Sequence, residues 1–508
     1  MKKIIILLMI TVMFLALAAC DQIHIHRFSQ WKVIKEATEI EDGIKERTCA
    51  CGEREIETLE KLNPSQGLAY ALNQDENGYH VIGIGSCTDT DLVIPGAYNG
   101  LPVTAIGKNA FEGNTVITSI TTGMSVTEIE SYAFYECTSL QKVVFSAPFE
   151  KIEEYAFANC SSLTDLIGGK NFEIFTLMSF YGCNALANIV VDEENPYYTS
   201  IDGNCYDKNV TTLIRYGAGK LDTRFKIPDT VKTIGDQSFY GAIHLEKVTI
   251  PDSVTTIGSL AFSECHSLTR VAIPDGVTSI SHWAFRNCES LESVRISSSV
   301  TSIGEYAFAG CAFTAVTIPN SVKSIGRGAF ASSALTSITI PNSVETIGIY
   351  AFEHCPNLVT VTLSNSLTAI SPYAFYSCPQ LTAVTIPDKV EQIGEWAFAY
   401  CYKLSKLTLG NSLLCIDSNA FYHCTKISEV LIPNSVITIG AGAFDFCPNI
   451  KKLTLGNSLT TIGGRAFGNS YSLTDVYYAG SEAQWNQIAI DSGNDCVISA
   501  MKHYNHVI

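Results

Sequence analysis

The chain has 508 residues, 46% apolar and 16% charged, with a formal net charge of −17. That much apolar content excludes a disordered chain. An acidic balance without a run of Lys or Arg argues against nucleic acid as a partner and against electrostatic docking on anionic lipid.

Residues 1–19 read as an export leader, with Lys2 and Lys3 giving a positive start and Ile4 to Ala16 an apolar stretch. Its end, Leu17-Ala18-Ala19-Cys20, resembles a bacterial lipobox, in which small residues admit the peptidase and the Cys20 thiol takes a diacylglycerol. An ordinary cleaved signal and a single anchor helix are the alternatives; the cysteine directly after a small-residue pair favours lipidation. Two acyl chains hold firmly, each burying about 0.8 kcal/mol per methylene. The expected product is exported, anchored in the membrane through Cys20 and exposed on the cell surface.

Residues 20–62 form a small β module, whose stretch from Trp31 to Lys61 resembles short β modules of Gram-positive exported proteins. It holds His24, His26, Cys49 and Cys51, a weak zinc candidate because one residue separates the two cysteines where two to four are usual. A local disulfide and plain packing are the other readings. Residues 63–100 alternate apolar and polar and are expected to form an N-terminal cap on the coil that begins at residue 101.

From 101 to 476 the chain repeats. Fifteen Phe, from Phe111 to Phe467, are separated by fourteen gaps: eleven of 23 residues, two of 22 and one of 59. A fixed period in this range marks a solenoid, one elongated body rather than several domains. Ile stands five residues before the Phe in fourteen coils, Phe175 being the exception. Gly follows that Ile in nine, with Ser, Thr, Asp or Glu in the rest. Several of these are helix N-cap residues, so a short helical turn is expected there. Ala precedes the Phe in thirteen coils and Ser in two, which implies a crowded site. After the turn, Leu358-x-x-Val361-x-Leu363 reads as a short strand with Val361 and Leu363 inward and Thr362 outward.

Eleven of the eighteen cysteines fall three residues after the Phe, where other coils hold Asn114, Ala242, Ser333 and Ser470. An exported protein invites disulfides. Equivalent side chains in stacked coils point the same way, whereas a disulfide needs Cβ atoms directed at each other. A column of small, buried, unpaired cysteines is therefore expected.

The L-x-x-L-x-L core resembles a leucine-rich repeat, with its Asn one residue early. The I-G-x-x-A-F-x-x-C half is similar to the BspA-like class of bacterial surface leucine-rich repeats. That resemblance covers about three-quarters of the chain. It implies an α/β solenoid of about fifteen coils, with a parallel β-sheet on one face and short helical turns on the other. It also implies adhesion, with host matrix proteins as one partner class.

The gap of 59 contains an insertion at about 190–226. Tyr197–Ile201 and Thr211–Tyr216 alternate around Asp202-Gly203 and read as a β-hairpin excursion. Tyr197, Tyr198, Tyr206 and Tyr216 make it an aromatic surface candidate, or a decoration that packs its own rings. Residues 477–508 leave the period and are expected to cap the end, with a short helix over Ser481–Ile490 and a closing strand at Cys496–Met501.

No nucleophile elbow, zincin motif, phosphate loop or calcium loop is present in the sequence. The ten histidines occupy unrelated repeat positions. A binding protein without cofactor is expected, not an enzyme. The candidate surface is a hydroxyl-rich strip on the outward strand position: Thr249, Thr317, Thr339, Thr362, Thr385, Thr408 and Thr454, with Arg270 and Arg295 nearby. Thr also simply suits a solvent-facing strand. The expected partner is an extracellular protein or glycan of a host or neighbouring cell; a structural envelope role and glycan capture for nutrition are the alternatives.

Overall fold

The computed structural model describes residues 27–146, 149, 151–170, 172 and 178–508. The leader, Cys20, His24, His26 and Phe175 lie outside the described residues.

Most coils contribute two short strands; the coil of Phe308 has only the first, Ser302–Ile303. The Ile before the Phe ends a two-residue strand, as in Thr256–Ile257 and Ser279–Ile280. These strands pair in parallel with Ile on Ile, for example Ile234↔Ile257 and Ile303↔Ile325. Beyond the Phe, a three-residue strand such as Lys247–Thr249 or Arg270–Ala272 builds a second parallel sheet, broken along the stack into separate four- and five-stranded segments. A period of 23 residues thus returns each side chain over its counterpart one rung below.

The segment between the two strands, carrying Ala-Phe, is not helical. Phe262 N–H donates to the Ala284 carbonyl at 2.7 Å and Glu264 N–H to the Arg286 carbonyl at 2.9 Å, both in the following coil. Backbone donors aimed along the stack cannot also close the i→i−4 bonds of a helix. Leu260 and Glu264 have φ of 57° and 61°, a region that interrupts any right-handed helix. Among the described residues, helix occurs only at Glu482–Trp485 and Asp495–Ser499. The expected helical face is therefore a column of tight turns, hydrogen-bonded rung to rung.

This also changes the reason for glycine after the Ile. A Cβ on Gly348 would stand 2.4 Å from Arg327 N and 2.5 Å from the Gly326 carbonyl carbon. Close approach of consecutive turns, not helix capping, selects glycine there. In a coil with Ser at this site, the Ser281 hydroxyl bonds the Ile257 carbonyl of the coil before at 2.6 Å.

The Phe rings form the spine of the core. Consecutive rings stack face on face, from 4.7 Å for Phe239–Phe262 to 5.6 Å for Phe308–Phe330. Beside them runs the cysteine column. Cys265 is buried and its thiol donates to the carbonyl of Phe239 at 3.1 Å; Cys137, Cys288 and Cys424 repeat the contact with their own preceding Phe. That carbonyl already accepts an N–H of its own coil, so the thiol fills the second lone pair. Cys160, Cys265 and Cys401 are unpaired thiols. Burial pushes Cys137, Cys265 and Cys401 up to about 12.

There are about 18 turns rather than fifteen. The additional ones lack the Phe. One is the first turn, with strands Tyr79–Gly83 and Asp91–Val93. One closes the other end, with strands Ala489–Ile490 and Met501–His503. The third lies inside the insertion. Tyr216 stands one 23-residue period before Phe239, and its ring lies 5.0 Å from the Phe239 ring. It occupies the spine where a Phe would be.

Within the insertion, Tyr198–Ile201 pairs antiparallel with Asn204–Asp207, which pairs antiparallel with Thr212–Arg215. Thr212–Arg215 then rejoins the solenoid in parallel with Thr233–Ile234. The hairpin is thus an excursion followed by a full turn, and Arg224–Lys226 is that turn's strand on the second sheet. Arg215 is buried here, donating to the Gln237 carbonyl at 3.0 Å and the Phe180 carbonyl at 3.4 Å. Its guanidinium caps the Phe180 oxygen, whose equivalents in other coils are capped by thiols of the cysteine column.

The ends are covered. Lys32–Lys35, Gly43–Thr48 and Arg54–Leu59 form an antiparallel sheet. Ala69–Leu72 pairs antiparallel with Tyr79–Gly83 and covers the first edge. At the other end, Ser481 caps the short helix through its side chain, and Trp485 and Ile488 are buried. The strand expected at Cys496–Met501 is instead the helix Asp495–Ser499; pairing resumes at Met501–His503, parallel to Asp475–Tyr478.

Candidate ligand-binding face

The second sheet presents its outward positions to solvent. Thr249, Thr339, Thr362, Thr385 and Thr408 are exposed on its strands; Thr317 is also exposed but stands on no strand, because the coil of Phe308 lacks one at this place and the face is interrupted there. Thr339 pairs with Thr362, and Thr385 with Thr408, so these hydroxyls repeat at the strand spacing of about 4.8 Å. Their inward neighbours Ile338 and Val384 are buried in the core, which fixes the strands from behind. The result is a rigid, uncharged, hydroxyl-rich row.

Thr454 does not belong to the exposed row. It is 5% exposed, packed between the paired residues Leu431 and Tyr477 on its flanking strands. Beyond it the face changes character. The Tyr477 ring stacks on His503 at 4.5 Å, and Lys452 lies 4.9 Å over the same ring. His503 bonds Asp475 at 2.8 Å, which holds that carboxyl below its usual range, with Thr474 assisting.

Arg270 and Arg295 are exposed on the earlier strands. Residue pairing adds two neighbours that the strand pattern alone did not reveal. Arg224 pairs with Lys247, and Lys247 with Arg270. These residues lie 23 apart in the chain, so no local run of basic residues announces them. Reading down the column eight residues after each Phe, with Tyr216 in the Phe register, would have found them.

The insertion contributes less surface than its composition promised. Tyr206 and Tyr216 are each 1% exposed and belong to the core, because Tyr216 completes the ring spine. Tyr197 is exposed and Tyr198 half-buried. Of the weak metal set, Cys49 is buried and Cys51 exposed. Its histidines lie outside the described residues, and among the described residues no three His, Cys, Asp or Glu side chains gather as a metal site.

The N-terminal sheet docks over the first strands of the same face. Both Glu39 carboxylate oxygens accept from Gly96 N–H at 3.0 Å, and Lys142 bonds Glu36 at 2.6 Å. A cleft of about 550 Å³ remains beneath it, lined by Leu62, Asp91, Ser119, Gln141 and Lys142 among others. The open part of the face therefore begins past this module.

The profile of the family described as BspA type leucine rich repeat region matches residues 97–213, 218–335, 323–414 and 368–492, in six copies. The chain belongs to this family. Its BspA-type repeats account for most of the solenoid. Among solved structures, the chain is similar to a leucine-rich repeat protein from Bacteroides ovatus, at 24% identity over 85% of this chain and 99% of that one, with a TM-score of 0.49. It is also similar to a leucine rich cell surface protein from Faecalibacterium prausnitzii, at 24% identity over 85% and 98%, with a TM-score of 0.37. A leucine-rich repeat protein from Eubacterium ventriosum shares 23% identity over 76% and 94%, with a TM-score of 0.37. No curated protein matches this chain.

Proposed function

We propose that this BspA-type protein is exported, anchored by lipid at Cys20, and mediates adhesion by binding an extracellular protein through the outer face of its second sheet. The observation that carries the reading is the row Thr339, Thr362, Thr385 and Thr408, exposed on the four paired strands of one parallel sheet whose inward residues pack into the core. Such a row offers many weak, directional contacts at little ordering cost, which suits a broad macromolecular partner rather than a small molecule.

Two measurements test it. Growth with a radiolabelled fatty acid should label the wild-type chain and leave Cys20→Ala unlabelled. Immobilised matrix proteins should retain wild-type chain and lose a variant with Thr→Glu at 339, 362 and 385. Retention unchanged in that variant refutes the face, and equal labelling of Cys20→Ala refutes the anchor.

A further inference from the structure

We propose that the four paired strands Arg224–Lys226, Lys247–Thr249, Arg270–Ala272 and Ser293–Arg295 form a binding site for a sulfated polysaccharide, held by a ladder of cations. This rests on the reading that the face binds ligands, and assigns one stretch of it a ligand class.

The ladder is a consequence of register. Arg224 is directly beside Lys247, and Lys247 directly beside Arg270. On the fourth strand the cation shifts to the other outward column, where Arg295 pairs with Ala272. Arg224, Lys247, Arg270 and Arg295 are all exposed. At the strand spacing, the four strands cover about 14 Å. Lys226, beside the ladder, is already occupied, its ammonium lying 3.0 Å from Asp229.

Like charges directly opposite one another in a sheet repel and lower stability. The usual remedy is a carboxylate in the adjacent column, and acidic residues are plentiful in a chain of net charge −17. Yet among the described residues no carboxylate forms an ion pair with Arg224, Lys247, Arg270 or Arg295, although Glu246 and Glu292 stand beside the strands in sequence. Elsewhere the same protein does pair such cations, as Lys142 with Glu36 and Lys151 with Glu153. Three cations in register with no counter-charge form a site whose missing partner is an anion.

The surroundings select the kind of anion. The outward positions between the cations are small or hydroxylic, namely Thr249, Ala272 and Ser293. No exposed aromatic ring stands on these four strands to stack a base, as single-stranded nucleic acid would use. The apolar residues of these strands, Phe225, Val248, Val271 and Val294, pack into the core, so none is left exposed as the anchor that a protein partner's hot spot would need. A flat cationic row flanked by hydroxyls suits a linear polar chain carrying repeated sulfates, bound by charge and by hydrogen bonds to its own hydroxyls. The acidic remainder of the protein limits the contact to a few charges.

The test uses the full chain and a fluorescent, size-fractionated dextran sulfate, with neutral dextran of the same length as control. Wild type should bind the sulfated polymer and not the neutral one. The triple variant Arg224→Ala, Lys247→Ala, Arg270→Ala should bind at least about tenfold more weakly, and its dependence of log K on log salt should be shallower by about 2 to 3. A control triple of exposed cations outside the ladder, Lys389→Ala, Lys426→Ala, Lys451→Ala, should bind like wild type. Melting supplies a readout independent of affinity. At low salt the ladder triple should melt no lower than wild type, since repulsion is removed, and dextran sulfate should raise the melting temperature of wild type alone. Equal affinity of wild type and ladder triple overturns the proposal, as does equal loss in the control triple. Tighter binding of an oligothymidylate or of decaglutamate than of dextran sulfate also overturns it. Matrix-protein retention by the ladder triple separates the two claims. Loss of dextran sulfate with retention kept leaves the Thr row standing, and retention lost through the Thr→Glu variant alone leaves the ladder standing.

Discussion

Tyr216 gives the sharpest test of the spine. It fills a Phe position, its hydroxyl is buried, and that oxygen has no hydrogen-bond partner in the structure. Leaving a buried hydroxyl unsatisfied costs about 1–3 kcal/mol. Tyr216→Phe removes that cost and keeps the ring contacts with Phe225 at 4.9 Å and Phe239 at 5.0 Å. It should stabilise the turn by about 1 kcal/mol. Tyr216→Ala should cost about 3–5 kcal/mol, because the ring is 1% exposed and its neighbours are fixed on both sides. The site also lies where two core clusters meet, one ending at Cys205 and the other beginning at Tyr206. Stacked repeats open locally, so the assay is hydrogen exchange over 204–240 rather than a single global transition. The reporters are Tyr216 N–H, bonded to Ser238 O at 2.7 Å, and Gly235 N–H, bonded to Leu213 O at 2.9 Å. Exchange should slow about fivefold in Tyr216→Phe and accelerate by more than a hundredfold in Tyr216→Ala. A Tyr216→Phe protein that exchanges faster than wild type would refute the reasoning, since it would mean that the hydroxyl contributes a bond the spine requires.

Two further outcomes are expected. Cys137, Cys265 and Cys401 should resist iodoacetamide at about pH 8.5 in the folded chain and react at once in urea, because burial lifts their thiols to about 12 from an ordinary value near 8.5. The unfolded chain releases those protons first, so stability should be full below about pH 8.5 and fall as pH climbs from there toward 12; a flat denaturation midpoint across that window counts against it. Glu39→Ala removes an acceptor shared by two backbone N–H groups, Gly96 and Met124. Charged hydrogen bonds of this kind contribute about 1.5–3 kcal/mol, so limited proteolysis should cut near residues 60–66 in the variant well before wild type, and equal cleavage would show that Glu39 does not hold the module.

Much of this protein was legible in its sequence. The Ala-Phe interval determined a stacked solenoid, the inward Ile and Leu positions, and a column of cysteines that cannot face one another. The same interval, read one step further, reaches Tyr216 and the hidden turn; an aromatic of different type at the register position concealed it, and composition alone left its tyrosines open between surface and packed rings. The helical turns failed for a reason no single coil contains. Gly348 and its equivalents resemble caps in one repeat, but their role is set by the backbone of the next rung, 2.4 Å from where a side chain would begin. The outer face divided in the same way. Alternation along each strand showed that Thr339 and Thr362 point outward, because that depends on residues two apart. The burial of Thr454 under Tyr477, and the meeting of Arg224, Lys247 and Arg270, depend on which residues stand side by side across strands. Periodicity along a chain determines what each coil looks like; only stacking brings residues 23 apart into contact, and charge and burial are properties of those contacts.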